Sequence, residues 1–528
     1  LPANSKNTSR EIPNLSRLQR KAYGAFQQGD FDKAERFCSG ILEHRPDDFD
    51  ALHLLGLLNF ERRHMVEALR FLAAALKSNP ASSDAMSNLG LALHTAGHFD
   101  QAISHFRSAL QLAPEHPEIL YNLGNSCLKL RRFAEAASSF EAALASQPHH
   151  VGARVNRGNA LLRLNEPVQA LASYDAAQAA MPGHPQILTN RGHTLRRLDR
   201  PVEALVDFKA ALAASPEFAE AHFEAAMAHL TLGDFDAGWS AYEWRWKTAA
   251  FAGQHREFSA PLWLGHEPVD GKTILLHAEQ GFGDSIQFIR YAPLLAHRGA
   301  NVICEVQAGL QPLLSQLEGV SVIAAGAPRP VVDLHCPLLS LPLAFKTEVE
   351  TIPASVPYLA APTERLEHWR NRLPPGRPRA GFVWSGSSTH NNDANRSIPL
   401  ARLASLFETP ALQCISLQSE MRDADRDVLG DLPNLLHLGD DISDFADTAA
   451  IISLLDVVIT VDTAVAHLAG ALGKPVMILL PHAADFRWMR DRTDTPWYPT
   501  AKLLRQPAFG DWDSVIARLR DELHPLMR

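Results

Sequence analysis

Hydrophobic and polar positions in the first half of the chain recur with a period of 34 residues. Pro46, Pro80, Pro114, Pro148, Pro182 and Pro216 stand in one register. Gly56, Gly90, Gly124, Gly158, Gly192 and then Ala226 occupy a second, and Ala34, Ala68, Ala102, Ala136, Ala170 and Ala204 a third. This pattern predicts antiparallel helix pairs. The small residue of the first helix admits the second, Ala of the second fills the facing slot, and proline ends each unit. About seven such units run through residues 16–253, behind a leader at 1–15. The last unit, with Gly238 in the Ala register and aromatic residues at its end, is predicted to cap the stack and to dock on the region C-terminal to it.

A fourth register holds Asn88, Asn122, Asn156 and Asn190, each two residues before a glycine. One reading is a polar residue tolerated on an exposed helix face. Asparagine is a mediocre helix former, however, and its amide donates and accepts together. The second reading is therefore a ladder on the concave face that holds the backbone of an extended peptide.

From residue 254 the period stops and strand-like runs alternate with helical ones. "TILLH", "NVICEV" and "VSVIAAG" belong to one lobe, 254–376; "AGFVWSG", "LQCISLQ", "VVITV" and "VMILLP" belong to a second, 377–528. A Pro- and Arg-rich linker near Pro374–Pro378 parts them. Short turns and a βαβ rhythm predict two doubly wound parallel sheets, with ligands beyond the C-terminal strand ends.

Two motifs fall at such ends. In "EQGFGD", Gly281 and Gly283 permit a sharp strand-to-helix turn and close approach of a ligand, and Asp284 opens the next helix. Asp is also a favoured N-cap, so a purely structural role is equally compatible with the motif. In "ITVDTAVAHLAGALGKPV", Asp462 and Thr463 open a helix whose free N–H groups suit phosphate. His467 follows four residues later, on the same helix face. Gln418 ends a strand where a base or ribose could be held. "FRWMRDRTDTPWYP" sets Trp488, Trp497 and Tyr498 among arginines, either as core with salt bridges or as a sugar- and acceptor-contacting rim.

The net charge of −9 argues against general attraction to nucleic acid, and five scattered cysteines without CxxC spacing read as reduced thiols of a cytoplasmic protein. No run is long and apolar enough to span a membrane. No His/Cys cluster has metal-ligand spacing, and the DxD at Asp423 and Asp425 lies in a charged helical run read as a solvated face, so no metal is expected.

The array resembles the tetratricopeptide repeat, and its Asn register resembles that of protein O-GlcNAc transferases. "DTAVAHLAGALGKPV" resembles the D-T-x-x-x-H-L-A-A-A-x-x-K-P motif of heptosyltransferases, and the turn ending at Asp284 resembles their L-G-D turn. The loop before that turn, "HAEQGF", departs from their pattern. The resemblance implies an α-helical tetratricopeptide superhelix followed by an α/β GT-B glycosyltransferase of two Rossmann-like lobes. It implies Asp284 as the base, and a basic residue contacting the donor phosphates at the place of Arg396. A nucleotide-sugar is then the co-substrate, with no further cofactor and no metal. The acceptor is a protein or peptide on the concave face, glycosylated on Ser or Thr, as in bacterial enzymes that modify flagellin. Two alternatives stand beside it: transfer to a lipid-linked glycan, and a non-catalytic scaffold with degenerate lobes.

Overall fold

The computed structural model describes residues 15–253, 256–390, 392–408 and 411–527; of the leader at 1–15, all but Leu15 lies outside the described residues. The chain divides into two compact units, Leu1–Pro182 and Gly183–Arg528. Five helix pairs, from Leu15–Gln27 to Pro167–Ala180, make up the first. The second opens with two more pairs, ending in Ala219–Leu232 and Phe235–Tyr242, and continues into both sheets.

Local chemistry sets the helix ends. Asp30, Asp48 and Ser82 cap their helices by accepting the N–H groups of Lys33, Ala51 and Ala85 at 3.1–3.2 Å. The helix-to-helix turns carry a further 34-residue register that sequence reading overlooked. Gly29, Arg63, Gly97, Arg131, Asn165, Asp199 and Gly233 all have φ between 57° and 84°. Side chains can disguise this register, because the left-handed conformation costs a non-glycine residue only about 1–2 kcal/mol.

The glycine register works differently from the expectation. The slot facing each glycine is filled by the large residue sixteen positions later, not by Ala. A Cβ on Gly56 would lie 2.6 Å from Leu72, and on Gly90, Gly124 and Gly158 it would lie 2.8, 2.6 and 2.6 Å from Phe106, Phe140 and Tyr174. In the second unit Gly192 meets Phe208 in the same way, at 2.5 Å. The Ala register is fully buried as well, so each of these five pairs packs a large side chain into a glycine notch beside an alanine seam.

In the second unit β1 (Thr273–His277), β2 (Asn301–Val306), β3 (Val320–Ala324) and β4 (Leu334–Pro337) form a parallel sheet of order β3-β2-β1-β4. A second parallel sheet contains β5 (Arg379–Val383), β6 (Gln413–Ser416), β7 (Leu435–His437), β8 (Val457–Val461), β9 (Val476–Leu480) and β10 (Ala501–Arg505) in the order β10-β9-β8-β5-β6-β7. Strands β4, β7 and β10 are additions to the sequence reading.

The last repeat docks where the two lobes meet. Trp239 sets its ring 6.1 Å from Phe288 of the first lobe and 5.7 Å from Phe486 of the second, and Phe235 stacks 6.3 Å from Trp497. These side chains belong to one continuous core with residues of both sheets.

Because the aromatic ring and the glycine notch are complementary, Gly124→Ala should destabilise the array by about 1–3 kcal/mol, the usual cost of overpacking. Calorimetric scanning should show a lower unfolding temperature, partly restored when Phe140→Leu is added.

Candidate functional site

At the first-lobe edge β1 runs into the helix Phe282–Phe288. Gly281 has φ −69°, an ordinary value, and its N–H donates to Asp284 Oδ2 at 3.0 Å. The turn is therefore closed by the Asp284 carboxylate rather than by glycine's conformational freedom. Gly283 is needed for space instead. A Cβ there would stand 2.8 Å from His467 Cδ2, so what approaches its backbone is the second lobe and not a ligand.

Asp284 is mostly buried, with 16% of its side chain exposed, and its Oδ1 accepts from Arg487. Burial raises its pKa; Arg487 pulls it back and the Asp485 carboxylate raises it further, leaving a net upward shift. Arg487 in turn donates to Gln287 Oε1 at 2.7 Å and to Asp485 Oδ1 at 2.8 Å. Arg487 thus bridges the lobes. The aromatic–arginine segment that carries it is core with salt bridges, not a rim, since Trp488, Trp497 and Tyr498 are fully buried.

At the second-lobe edge β8 ends at Val461, and Thr463 caps the helix Ala464–Ala471 by accepting the Val465 N–H at 3.3 Å. Its hydroxyl also pairs with Thr460 Oγ1 at 3.0 Å. The Asp462 carbonyl accepts from Arg396 Nη1 at 2.8 Å, so the loop after β5 is pinned to the start of this helix. The guanidinium packs against Gly386, where a Cβ would come within 2.3 Å of Nη2 and would have to displace it. Arg396 Nε is buried and has no acceptor. The Asp462 carboxyl is pushed up to about 6, by burial first and then by Asp485, against the pull of Arg396, the Trp488 indole and Arg487.

His467 takes a position other than the one expected beside a phosphate. It is buried between Gly283 and Trp488, stacked 5.2 Å from the indole, with Nδ1 3.0 Å from the Tyr498 hydroxyl. Burial, then Arg487, Arg290 and Arg396, hold its pKa well below the usual histidine range. In this position the ring packs between the two lobes.

Gln418 is likewise committed. Its Oε1 accepts from the Trp384 and Ser385 N–H groups at 3.1 Å, and its Nε2 donates to the carbonyls of Ser385 and Glu420 at 3.0 Å. It ties the β5 and β6 loops together instead of presenting its amide to a base. Asp425 corrects the reading of the DxD as a solvated face. Asp423 is exposed, but Asp425 is 4% exposed and accepts from Trp384 Nε1 at 3.0 Å and Leu400 N–H at 2.9 Å. Among the described residues no group of three His, Cys, Asp or Glu side chains is placed to hold a metal ion.

In the first unit Asn88 Nδ2 meets His53 Nε2 at 2.9 Å, and Asn156 Nδ2 donates to Asn125 Oδ1 at 2.8 Å. These amides link first helices of successive repeats. Asn122 is half-buried in the same unit, and in the second unit Asn190 Oδ1 accepts from Gln186 one turn earlier at 2.9 Å.

A tetratricopeptide-repeat family model matches residues 20–83, 67–117, 87–137, 121–185 and 189–246. A second, described as glycosyltransferase family 9 (heptosyltransferase), matches residues 443–497, the stretch that holds Asp462, Thr463, His467, Asp485 and Arg487. Protein FlbA of Caulobacter vibrioides is 24% identical over 337 residues, covering 58% of this chain and 55% of FlbA; the chain thus spans about half the length of that relative. Among solved structures, YrrB, a TPR protein with an unusual peptide-binding site, is 22% identical with a TM-score of 0.33, covering 35% of this chain and 95% of its own. PilF of Pseudomonas aeruginosa is 20% identical with a TM-score of 0.36, covering 39% and 94%. Residues 20–246 thus carry tetratricopeptide repeats, and the α/β region that follows is glycosyltransferase-like. Family 9 sequence character is matched in its second lobe.

The Asp462 shift carries a sign. A carboxyl whose folded pKa is raised contributes stability in its protonated form, present at low pH and lost as pH rises through about 6. Asp462→Asn should therefore unfold at a higher temperature than the parent at pH 7.5, by about 1–3 kcal/mol in stability, with the difference vanishing near pH 4. Thermal unfolding followed at the two pH values checks this.

Proposed function

We propose that this protein transfers a sugar from a nucleotide-sugar to a Ser or Thr hydroxyl of a protein acceptor, of the flagellin kind, in a GT-B cleft between its two lobes. The observation that carries this reading is the junction itself. The Asp284 carboxylate and the Arg396-pinned start of the Ala464–Ala471 helix are brought to adjoining strand ends through Arg487 and Asp485. A guanidinium beside a helix start, whose buried Nε makes no hydrogen bond and stands 3.9 Å from Asp393 Oδ1, is suited to a diphosphate oxygen.

The step follows from these parts. The acceptor hydroxyl oxygen attacks the anomeric carbon and the new C–O bond forms. The bond to the diphosphate oxygen breaks, and its electron pair leaves with the nucleoside diphosphate. The hydroxyl proton passes to Asp284, late in the step because an alcohol is far less acidic than a carboxylic acid. Arg396, the Thr463 hydroxyl and the positive end of the helix dipole carry the leaving charge in place of a metal. His467 and Gln418 support the walls and are not assigned a contact with the donor.

The repeats supply the protein acceptor's binding surface in this reading, with the Asn register as its amide ladder. A second reading, transfer to a lipid-linked glycan, is favoured by the internal partners of Asn88 and Asn156, which already occupy part of that ladder.

Calorimetric titration of UDP, GDP and ADP separates these parts. Arg396→Ala should weaken whichever nucleotide binds by about 1.5–3 kcal/mol, the range for charge-assisted hydrogen bonds. Unchanged affinity in the folded variant removes Arg396 from the donor site. Replacing Asn88, Asn122, Asn156 and Asn190 together by Ala should weaken protein-acceptor binding by about 0.5–1.5 kcal/mol per lost contact while leaving donor hydrolysis intact. Undiminished protein glycosylation in that variant moves the lipid-linked reading ahead.

A further inference from the structure

We propose that Arg487 is a positioning residue for Asp284 and that the last two repeats hold it in place, so that these repeats complete the acceptor side of the site. The inference rests on the reading of Asp284 as the base.

Both carboxylate oxygens of Asp284 are directed: Oδ2 by the Gly281 N–H at 3.0 Å, Oδ1 by Arg487. The guanidinium is itself fixed on Gln287 Oε1 and Asp485 Oδ1, so its planar fork has little freedom to turn. A carboxylate held at both oxygens cannot turn about its Cβ–Cγ bond, so the lone pairs left on each oxygen keep fixed directions.

The segment that delivers Arg487 is not shaped by its own sequence. Met489, which is not a glycine, stands at φ 50° and ψ −166°. Conformations of this kind persist only when their surroundings impose them. The repeats supply much of that constraint. Asp199 pairs with Arg490 at 2.9 Å. A Cβ on Gly233 would lie 3.0 Å from Met489 Cε, and Phe486 packs 5.7 Å from Trp239 and 6.5 Å from Tyr242. Asp199 and Gly233 are the left-handed turn residues of the last two repeats, so the turns that close those helix pairs also grip the Arg487 segment. From within the second lobe Arg505 Nη2 adds a bond to the Met489 carbonyl at 2.6 Å.

The charges point the same way. Facing Asp284 are Arg487 and Asp485 from the second lobe, neutral His467 across from Gly283, and the Tyr242 hydroxyl from the last repeat. Arg487 is the cation among them that offsets burial and keeps the carboxylate available as a base.

The test is a carbon-13 NMR titration of the full-length chain labelled at aspartate Cγ, in which the Asp284 signal is the one lost in Asp284→Asn. Arg487→Gln should raise the Asp284 midpoint by about one pH unit or more, as loss of a neighbouring cation does. Asp199→Ala, which only releases Arg490, should raise it by a smaller but measurable amount and should retain its fold if Arg487→Gln does not. An unchanged midpoint in folded Arg487→Gln overturns the proposal; an unchanged midpoint in Asp199→Ala overturns the part played by the repeats. Turnover is read in parallel as nucleoside diphosphate released from UDP-N-acetylglucosamine and GDP-mannose. Where either is a substrate, Arg487→Lys should lower kcat roughly tenfold or more with KM for the donor within about twofold, because the planar fork that reaches Gln287, Asp485 and Asp284 at once is lost while the charge stays. If Asp284→Asn keeps full turnover, the base assignment fails, whatever the titration shows for Arg487.

Discussion

The second unit depends on one close approach, that of the Phe282–Phe288 helix to the Ala464–Ala471 helix. Gly283 has no side chain, and the His467 ring stands 2.8 Å from where a Cβ would be. That contact sets how near the end of β1 stands to the end of β8, and with it the separation of Asp284 from the Asp462–Thr463 helix start. A side chain at Gly283 would have to displace a ring already stacked on Trp488 and bonded to Tyr498. Interiors packed to crystal density transmit such a displacement instead of absorbing it.

Around this contact the protein buries arginines, each with its own compensation. Arg290 donates to the carbonyls of Pro353 and Trp497 and to the Tyr358 hydroxyl, and lies over the Tyr498 ring at 4.7 Å. Arg245, at the end of the last repeat, is held by Glu243, Glu279 and Ser340. Arg487 completes the set on Asp284, Asp485 and Gln287. Burying a guanidinium costs several kcal/mol unless its donors are met, so these ions add little net stability and much geometric definition. Removing one partner is far costlier than never having had the pair. The network therefore resists change one residue at a time.

The repeats play two parts. In the first unit they are a regular array whose pairs are locked by large side chains in glycine notches. In the last repeat the same 34-residue module gives up that regularity. Ala226 replaces the glycine, Gly238 enters the alanine register against Leu230, and Trp239 and Tyr242 turn toward the lobes. The module that elsewhere packs on its own kind here packs on an α/β core.

Periodicity made the helix pairs legible, because proline, glycine and alanine each answer a constraint local to one hairpin and repeat with it. The strand-to-helix junctions at His277 and Val461 were legible for a similar reason: a short apolar run followed by a capping Asp or Thr is a local signal. Strands β4, β7 and β10 were not, since two have only three or four residues and the third, "AKLLR", has a lysine in its second position. The site divides along the same line. Asp284, Asp462 and Thr463 were singled out from the turns that carry them, and Arg396 from its place in a family resemblance. The roles of His467, Gln418, Asp425 and Arg487 were decided by partners up to 203 residues away. Whether a polar side chain faces a ligand or is consumed by its neighbours depends on which other groups the fold brings within hydrogen-bond reach, and no local pattern encodes that distance.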